Sequence, residues 1–200
     1  MLKGALKLVF ATNNLHKLKE VEQLLPPNVH LISLREIDST DDLPETDVHL
    51  EDNARQKARY IHDKFGLDCF ADDTGLEVEA LDGRPGVYSA RYAGPACNSE
   101  ENIRKVLTEM NGIQNRKAKF RTVIALYINQ QEFLFEGSVN GIITETSFGT
   151  EGFGYDPIFL PEGDTRTFAQ MSLQEKNKFS HRSRAIQNLA GFLSGNDEEK

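Results

Sequence analysis

The chain has 200 residues, enough for one domain or at most a two-lobed one. At that size about 70% of the unfolded surface can be buried, so neither a disulfide nor a structural metal is needed to fold it. Hydrophobic residues make up 38% and charged residues 27%, which excludes a disordered or fibrous chain, and the net charge of −8 weighs against a protein that grips a nucleic-acid backbone.

Leu6–Ala11 reads as a buried strand, broken by Thr12-Asn13-Asn14. Leu15, Leu18, Val21, Leu24 and Leu25 then follow at helical spacing until Pro26-Pro27. A second helix fits Leu50–Phe65, with Ala54, Ala58, Ile61 and Phe65 on one face and Gly66 as its stop. Next comes a short apolar strand, Cys69-Phe70-Ala71, cut off by Asp72-Asp73, and then the alternating Leu76–Ala80, turning at Asp82-Gly83. Asn98 with Glu101 opens a third helix carrying Ile103, Val106, Leu107 and Met110 inward. Ala118–Asn129 and Glu132–Thr144, joined by Gln130-Gln131, form a natural antiparallel pair. Ser172-x-x-Glu175 is a capping box, and the last helix keeps Ala185, Ile186, Leu189, Ala190 and Leu193 on one side. The pattern is α/β or α+β with a mixed sheet: one domain over residues 1–194 and a frayed tail over 195–200.

No apolar run reaches the roughly 18 residues of a membrane span, and the first residues lead into a strand rather than a signal peptide. Cys69 and Cys97 lack the spacing of a zinc or redox motif and read as reduced thiols of a cytoplasmic protein.

Five segments could carry chemistry. The turn Thr12-Asn13-Asn14-Leu15-His16-Lys17 opens a helix whose unpaired N–H groups suit an anion, with Lys17 one turn in. It lacks the glycines of a P-loop or a dinucleotide fingerprint, and Asn14 as a simple cap with a solvated Lys17 is the plainer reading. Asp72-Asp73-Thr74-Gly75 is either a carboxylate pair neutralised by a divalent metal or an Asp-rich turn. Residues 36–52 hold eight acids and no Lys or Arg; such runs are usually solvated loops, although one acid could join Asp73 at a metal. Arg166, Lys176, Lys178, Arg182 and Arg184 stand against Glu175 alone, either an anion site or a balance for the acidic loop. Gly152-Phe153-Gly154-Tyr155-Asp156-Pro157 alternates glycines with rings that either stack on a base or tuck into a core.

Taken as a set, these pieces resemble the inosine triphosphate pyrophosphatase family of house-cleaning enzymes. The resemblance rests on Ala11-Thr12-x-Asn14-x-x-Lys17-x-x-Glu20 and on Glu51-x-Asn53-Ala54-x-x-Lys57-Ala58. It continues through Ala71-Asp72-Asp73-Thr74-Gly75-Leu76, Pro85–Tyr92, Gly152–Pro157 and Ser180-His181-Arg182 with Ala185, in the family's order over residues 11–185. Thr74 stands where many members have Ser; the hydroxyl is kept.

The resemblance implies a long curved mixed sheet flanked by helices, two lobes with a nucleotide cleft between them, and a homodimer. It implies Mg²⁺-dependent hydrolysis of irregular purine triphosphates (ITP, dITP and XTP) to the monophosphate and pyrophosphate. Thr12, Asn13, Asn14 and Lys17 would hold the triphosphate with Lys57 and Lys176, and Thr74 would touch substrate. Glu45 and Asp73 would bind the metal, Asp73 being also the catalytic carboxylate. Phe153, Gly154, Tyr155 and Asp156, with His181 and Arg182, would form the base pocket. A nucleotide-sensing module, a Mg²⁺-dependent nuclease, and a house-cleaning enzyme for modified pyrimidine triphosphates are the alternatives from other classes.

Overall fold

A computed structural model describes residues 6–195; residues 196–200 of the expected tail lie outside them. The strands are β1 (Leu6–Phe10), β2 (Val29–Ser33), β3 (Cys69–Val78), β4 (Pro85–Gly86), β5 (Lys117–Ile128), β6 (Gln131–Ile143) and β7 (Phe159–Pro161). The helices are α1 (Leu15–Glu22), α2 (Leu50–Phe65), α3 (Ser99–Glu109), α4 (Leu173–Lys176) and α5 (His181–Gly195). The strands pair in the order β2-β1-β3-β5-β6-β7, with β4 on β3. β1 runs parallel to β2 and β3, whereas β3–β4 and β6–β7 are antiparallel, so the sheet is mixed as the sequence pattern requires.

Two details of the sequence reading are corrected. Asp72-Asp73 does not end a strand: β3 runs unbroken from Cys69 through both aspartates to Val78. A buried carboxylate pair is tolerated in mid-strand because each finds cations from neighbouring helices, partners that no local pattern reveals. The β5–β6 turn is Asn129-Gln130, not Gln130-Gln131. Both turn residues have positive φ (50° and 63°), the two-residue geometry whose twist matches a hairpin.

The chain divides into two compact units. Unit 1 takes in the chain up to Asp73, Val123–Gly137, and the chain from Arg182 onward; unit 2 comprises Thr74–Thr122 and Ser138–His181. In unit 1 the sheet separates two cores. Leu8, Phe10 and Phe70 point to the side of α1 and α5, where they pack with Val21, Ala185, Ile186 and Leu189. Val9, Ala11, Cys69 and Ala71, the alternate positions, meet Ala54, Ala58 and Ile61 of α2. Phe10 and Phe70 stack across paired strands with centroids 4.6 Å apart.

Unit 2 has a single core. Leu76 and Val78 of β3, Val106 of α3 with Met110 at its C-terminal cap, and Phe120, Val139, Ile143, Phe159 and Phe168 fill it. Asn98 caps α3 by accepting from the Glu101 N–H. Gly75 lies against the paired strand β4, so that a Cβ there would stand 2.7 Å from the Gly86 carbonyl oxygen. Gly75→Ala should therefore cost on the order of 1–3 kcal/mol through forced displacement of β4. Urea denaturation of the two proteins checks this, with the change appearing in the midpoint rather than the slope.

Candidate active site

β3 alternates its side chains, so consecutive aspartates leave the sheet in opposite directions. Asp72 follows Phe70 toward α1 and α5; Asp73 follows Ala71 toward α2. Each meets a different set of partners.

On the first side, Asp72 Oδ1 accepts from Lys17 Nζ at 2.9 Å and Oδ2 from Arg182 Nε at 3.1 Å. Arg182 also donates through Nη1 to Glu20, and both Asp72 and Arg182 are 1% exposed. Lys17 and Glu20 lie three residues apart on one face of α1, so the ring Lys17–Asp72–Arg182–Glu20 closes through that helix. On the second side, Lys57 Nζ lies 3.1 Å from Asp73 Oδ1 and 2.6 Å from Glu45 Oε1. Lys57 is 3% exposed, and α2 presents it one turn after Asn53, whose Nδ2 donates to Asp73 Oδ2 at 3.3 Å. Lys17 and Lys57 are thus ion-paired, and Lys17 is not simply solvated.

At the start of α1, Asn14 is the N-cap, its Oδ1 accepting from the N–H groups of His16 (2.9 Å) and Lys17 (3.3 Å). Thr12 Oγ1 accepts from the Asn14 N–H at 3.2 Å, and Asn13 Nδ2 donates to the Asp41 carbonyl at 3.0 Å. The cap and the phosphate reading of Asn14 are compatible, since the cap is what aims the first turn.

The remaining predicted residues fall in unit 2. Thr74 Oγ1 lies 2.7 Å from Thr122 Oγ1. Asp156 is buried, accepts from the Phe153 N–H at 2.9 Å and pairs with Lys176 Nζ at 2.7 Å. That ammonium stands over the Phe153 ring, 5.0 Å from its centroid. Gly152 has φ +74°, and a Cβ there would lie 2.0 Å from Asp156 Oδ2, so only glycine fits the turn. Phe153 is half-buried with Gly154, whereas Tyr155 is sunk in the core, its hydroxyl donating to the Ser89 carbonyl at 2.8 Å. His181 is buried and stacks on Phe120 with centroids 4.6 Å apart. Of the base-pocket set, Phe153 and Asp156 are in direct contact, and both meet Lys176, which the resemblance places with the triphosphate instead; Arg182 belongs to unit 1 with the acids.

The reading from sequence gave Asp72 only as half of a carboxylate pair and assigned no role to Glu20 or Asn53. Helical spacing, Lys17 to Glu20 and Asn53 to Lys57, is the signal that could have found the last two.

The two aspartates titrate in opposite directions. Burial alone would raise the Asp72 carboxyl, but Lys17, Arg182 and Lys57 overturn this and hold it far below its ordinary 3.8. Burial raises Asp73, Glu45 pushes the same way, and Lys57 and Lys17 only partly offset them. Neighbouring carboxyls driven apart in this manner mark one as a fixed counter-ion and the other as a group able to take a proton. Burial lowers Lys17, whereas Asp73, Glu45 and Asp72 outweigh burial at Lys57 and keep it firmly charged.

A depressed folded-state pKa at Asp72 contributes stability that is present above 3.8 and is lost as pH falls below it. Asp72→Asn should lose roughly 3–5 kcal/mol near neutral pH, because Lys17 loses its ion-pair partner and, of its two carboxylates in this ring, Arg182 is left with Glu20 alone. The variant should also lose less stability than the parent between about pH 5 and pH 2. Urea titrations across that range check both.

The sequence pattern of the Ham1 family matches residues 8–192. The "dITP/XTP pyrophosphatase" of Flavobacterium johnsoniae is 49% identical over 189 residues, covering 94% of this chain and 98% of that protein. The enzyme of the same name from Porphyromonas gingivalis is 50% identical over 188 residues, 94% and 97% of the two chains. Among solved structures, the Staphylococcus aureus Ham1 protein superposes with a TM-score of 0.87 at 38% identity, covering 95% of this chain and 99% of that one. With profile, relatives and fold in agreement over nearly the whole length, this chain belongs to the Ham1 family.

Proposed function

We propose that the protein is a nucleoside-triphosphate pyrophosphatase acting on ITP, dITP and XTP, splitting the α–β phosphoanhydride to release pyrophosphate and the monophosphate. The observation that carries this reading is the pairing of Glu45 and Asp73 around one buried ammonium, that of Lys57. Relatives named dITP/XTP pyrophosphatase at about half identity support the reaction class.

Unit 1's site holds three cations (Lys17, Lys57, Arg182) against four carboxylates (Glu20, Glu45, Asp72, Asp73), so it needs a further positive charge before it can receive a polyphosphate. Among the described residues no three His, Cys, Asp or Glu side chains form a metal cage. Two carboxylates with the other ligands drawn from water and substrate are what Mg²⁺ takes, so Glu45 and Asp73 fit it. When bound, Mg²⁺ neutralises charge on the phosphate oxygens and on the leaving pyrophosphate.

This chain's own groups do the rest. Asp73, whose burial favours the protonated form, accepts the proton of the attacking water. Lys57 and Lys17 supply fixed charge to the phosphates, and the Asn14-capped turn of α1 adds oriented N–H groups. Asp72 keeps Lys17 and Arg182 in place without itself reacting. For the base, Phe153 offers a ring with Lys176 over its face, and Lys176 and His181 are donors for a 6-oxo purine. Adenine's 6-amino group would leave such a donor unpaired, which is a strong ground for rejection. Thr12, Asn13, Thr74 and Gly154 belong to the same proposal as substrate contacts. So do a single domain over residues 1–194, Mg²⁺ as cofactor, a homodimer and a cytoplasmic location; among the described residues no helix is long and apolar enough to cross a membrane.

Incubation with ITP, dITP, XTP, GTP and ATP, with Mg²⁺ or chelator, tests the reading. Metal-dependent pyrophosphate release from the first three, with ATP and GTP nearly untouched, is expected; orthophosphate as the direct product would overturn it. Asp73→Asn should lower kcat at least about 100-fold while the protein still binds ITP. Lys17→Ala should act chiefly on KM, as a contact made equally in ground and transition states does. Steady-state kinetics with equilibrium ITP binding separate the two effects.

A further inference from the structure

Glu45 stands in a segment, residues 38–49, that contains neither helix nor strand. Its place beside Asp73 must therefore come from side-chain contacts. Lys57 reaches Glu45 itself, and Gln56 Oε1 accepts from the Thr46 N–H at 3.1 Å, but this second contact lies at the surface.

A third, part-buried contact is made by Asn53, itself 1% exposed. Its Oδ1 accepts from the Asp47 N–H at 2.9 Å, and its Nδ2 donates to the Asp47 carbonyl at 3.3 Å, so the amide grips one backbone unit from both ends. The same Nδ2 donates to Asp73 Oδ2 at 3.3 Å. That leaves Oδ1 of Asp73 on Lys57. A carboxamide carries both donor and acceptor on one rigid plane, which neither Asp nor a hydroxyl side chain reproduces.

From this we infer that Asn53 is the positioning residue of the metal and catalytic site: it docks the Glu45 segment two residues from Glu45 and sets the orientation of the Asp73 carboxylate. The inference rests on the proposal that Glu45 and Asp73 bind the divalent ion. A residue that pre-arranges two ligands from a helix and removes their freedom before the ion arrives acts on metal affinity, and outer partners of this kind are worth about 10–100-fold. Supplying the ion in excess restores the arrangement. The signature is therefore a shift in metal requirement rather than in the maximal rate.

The test uses Mn²⁺ as the calorimetric probe on the full chain, in the parent, Glu45→Gln, Asp73→Asn, Asn53→Ala and Asn53→Ser. The first two variants should lose Mn²⁺ binding; unchanged affinity in Glu45→Gln overturns the metal reading and the inference with it. Both Asn53 variants should bind Mn²⁺ at least about tenfold more weakly. Their half-saturating Mg²⁺ in turnover should rise by a similar factor, a larger change than in kcat at saturating Mg²⁺. Hydrogen exchange at the Asp47 amide should quicken in both. If Glu45→Gln and Asp73→Asn lose the ion while Asn53→Ala and Asn53→Ser hold it within about twofold of the parent, the metal reading stands and the positioning role falls. A merely structural role would lower the melting temperature and leave the Mg²⁺ requirement where it was. Should Asn53→Ala not fold, the smaller change to Ser and the exchange rate at Asp47 still decide the question.

Discussion

A strand has a period of two, and the chemistry of this protein depends on that constraint. Asp72 and Asp73 are neighbours in the chain, yet the pleat sends one to the side of α1 and α5 and the other to the side of α2. Had both stood on one face, two buried carboxylates would have shared one set of cations and only one could have ionised readily. Separated by the sheet, each acquires its own surroundings. Asp72 is held between Lys17 and Arg182 and stays charged. Asp73 is more weakly compensated and keeps a raised affinity for a proton.

The cluster is a poor device for stability. Several of its groups are almost wholly buried, and desolvating them costs about as much as their mutual attraction returns. Its worth lies in geometry: every cation is held at a stated carboxylate oxygen, and a polyphosphate with its metal would meet charges already in place rather than side chains drawn from solvent. Helices supply this rigidity. Lys17 and Glu20 are locked by their spacing on α1, and Asn53 and Lys57 by theirs on α2.

Unit 2 solves a related problem with glycine. The turn at Gly152 brings the backbone so close to Asp156 that no side chain fits, and Asp156 in turn anchors Lys176 over Phe153. The alternation of small and aromatic residues there divides its rings by role. Phe153 is half-buried with Lys176 over its ring, whereas Tyr155 is a core residue hydrogen-bonded to Ser89.

Much of this was legible in the chain itself. Local rules placed α2 at its observed ends, the Asn98 cap, the capping box at Ser172 and the long hairpin, because caps, stop signals and periodicity act within a few residues. Ordered motifs over residues 11–185 carried the family resemblance and selected Glu45 from eight acids that composition treats alike. Pattern alone misplaced the end of the strand at Asp72, and it left Lys17 open between solvent and an anion and Arg182 between an anion site and a charge balance. These gaps share a cause. The partners of Asp72 are 55 and 110 residues away, and the helices that bring them together are set by burial of Val21, Ala185 and Leu189, residues with no charge at all. Sequence determined which ionisable groups exist and on which elements they ride; which cation faces which carboxylate was decided only when the apolar faces of those elements packed, because the hydrophobic effect that fixes their positions is far larger than any single ion pair.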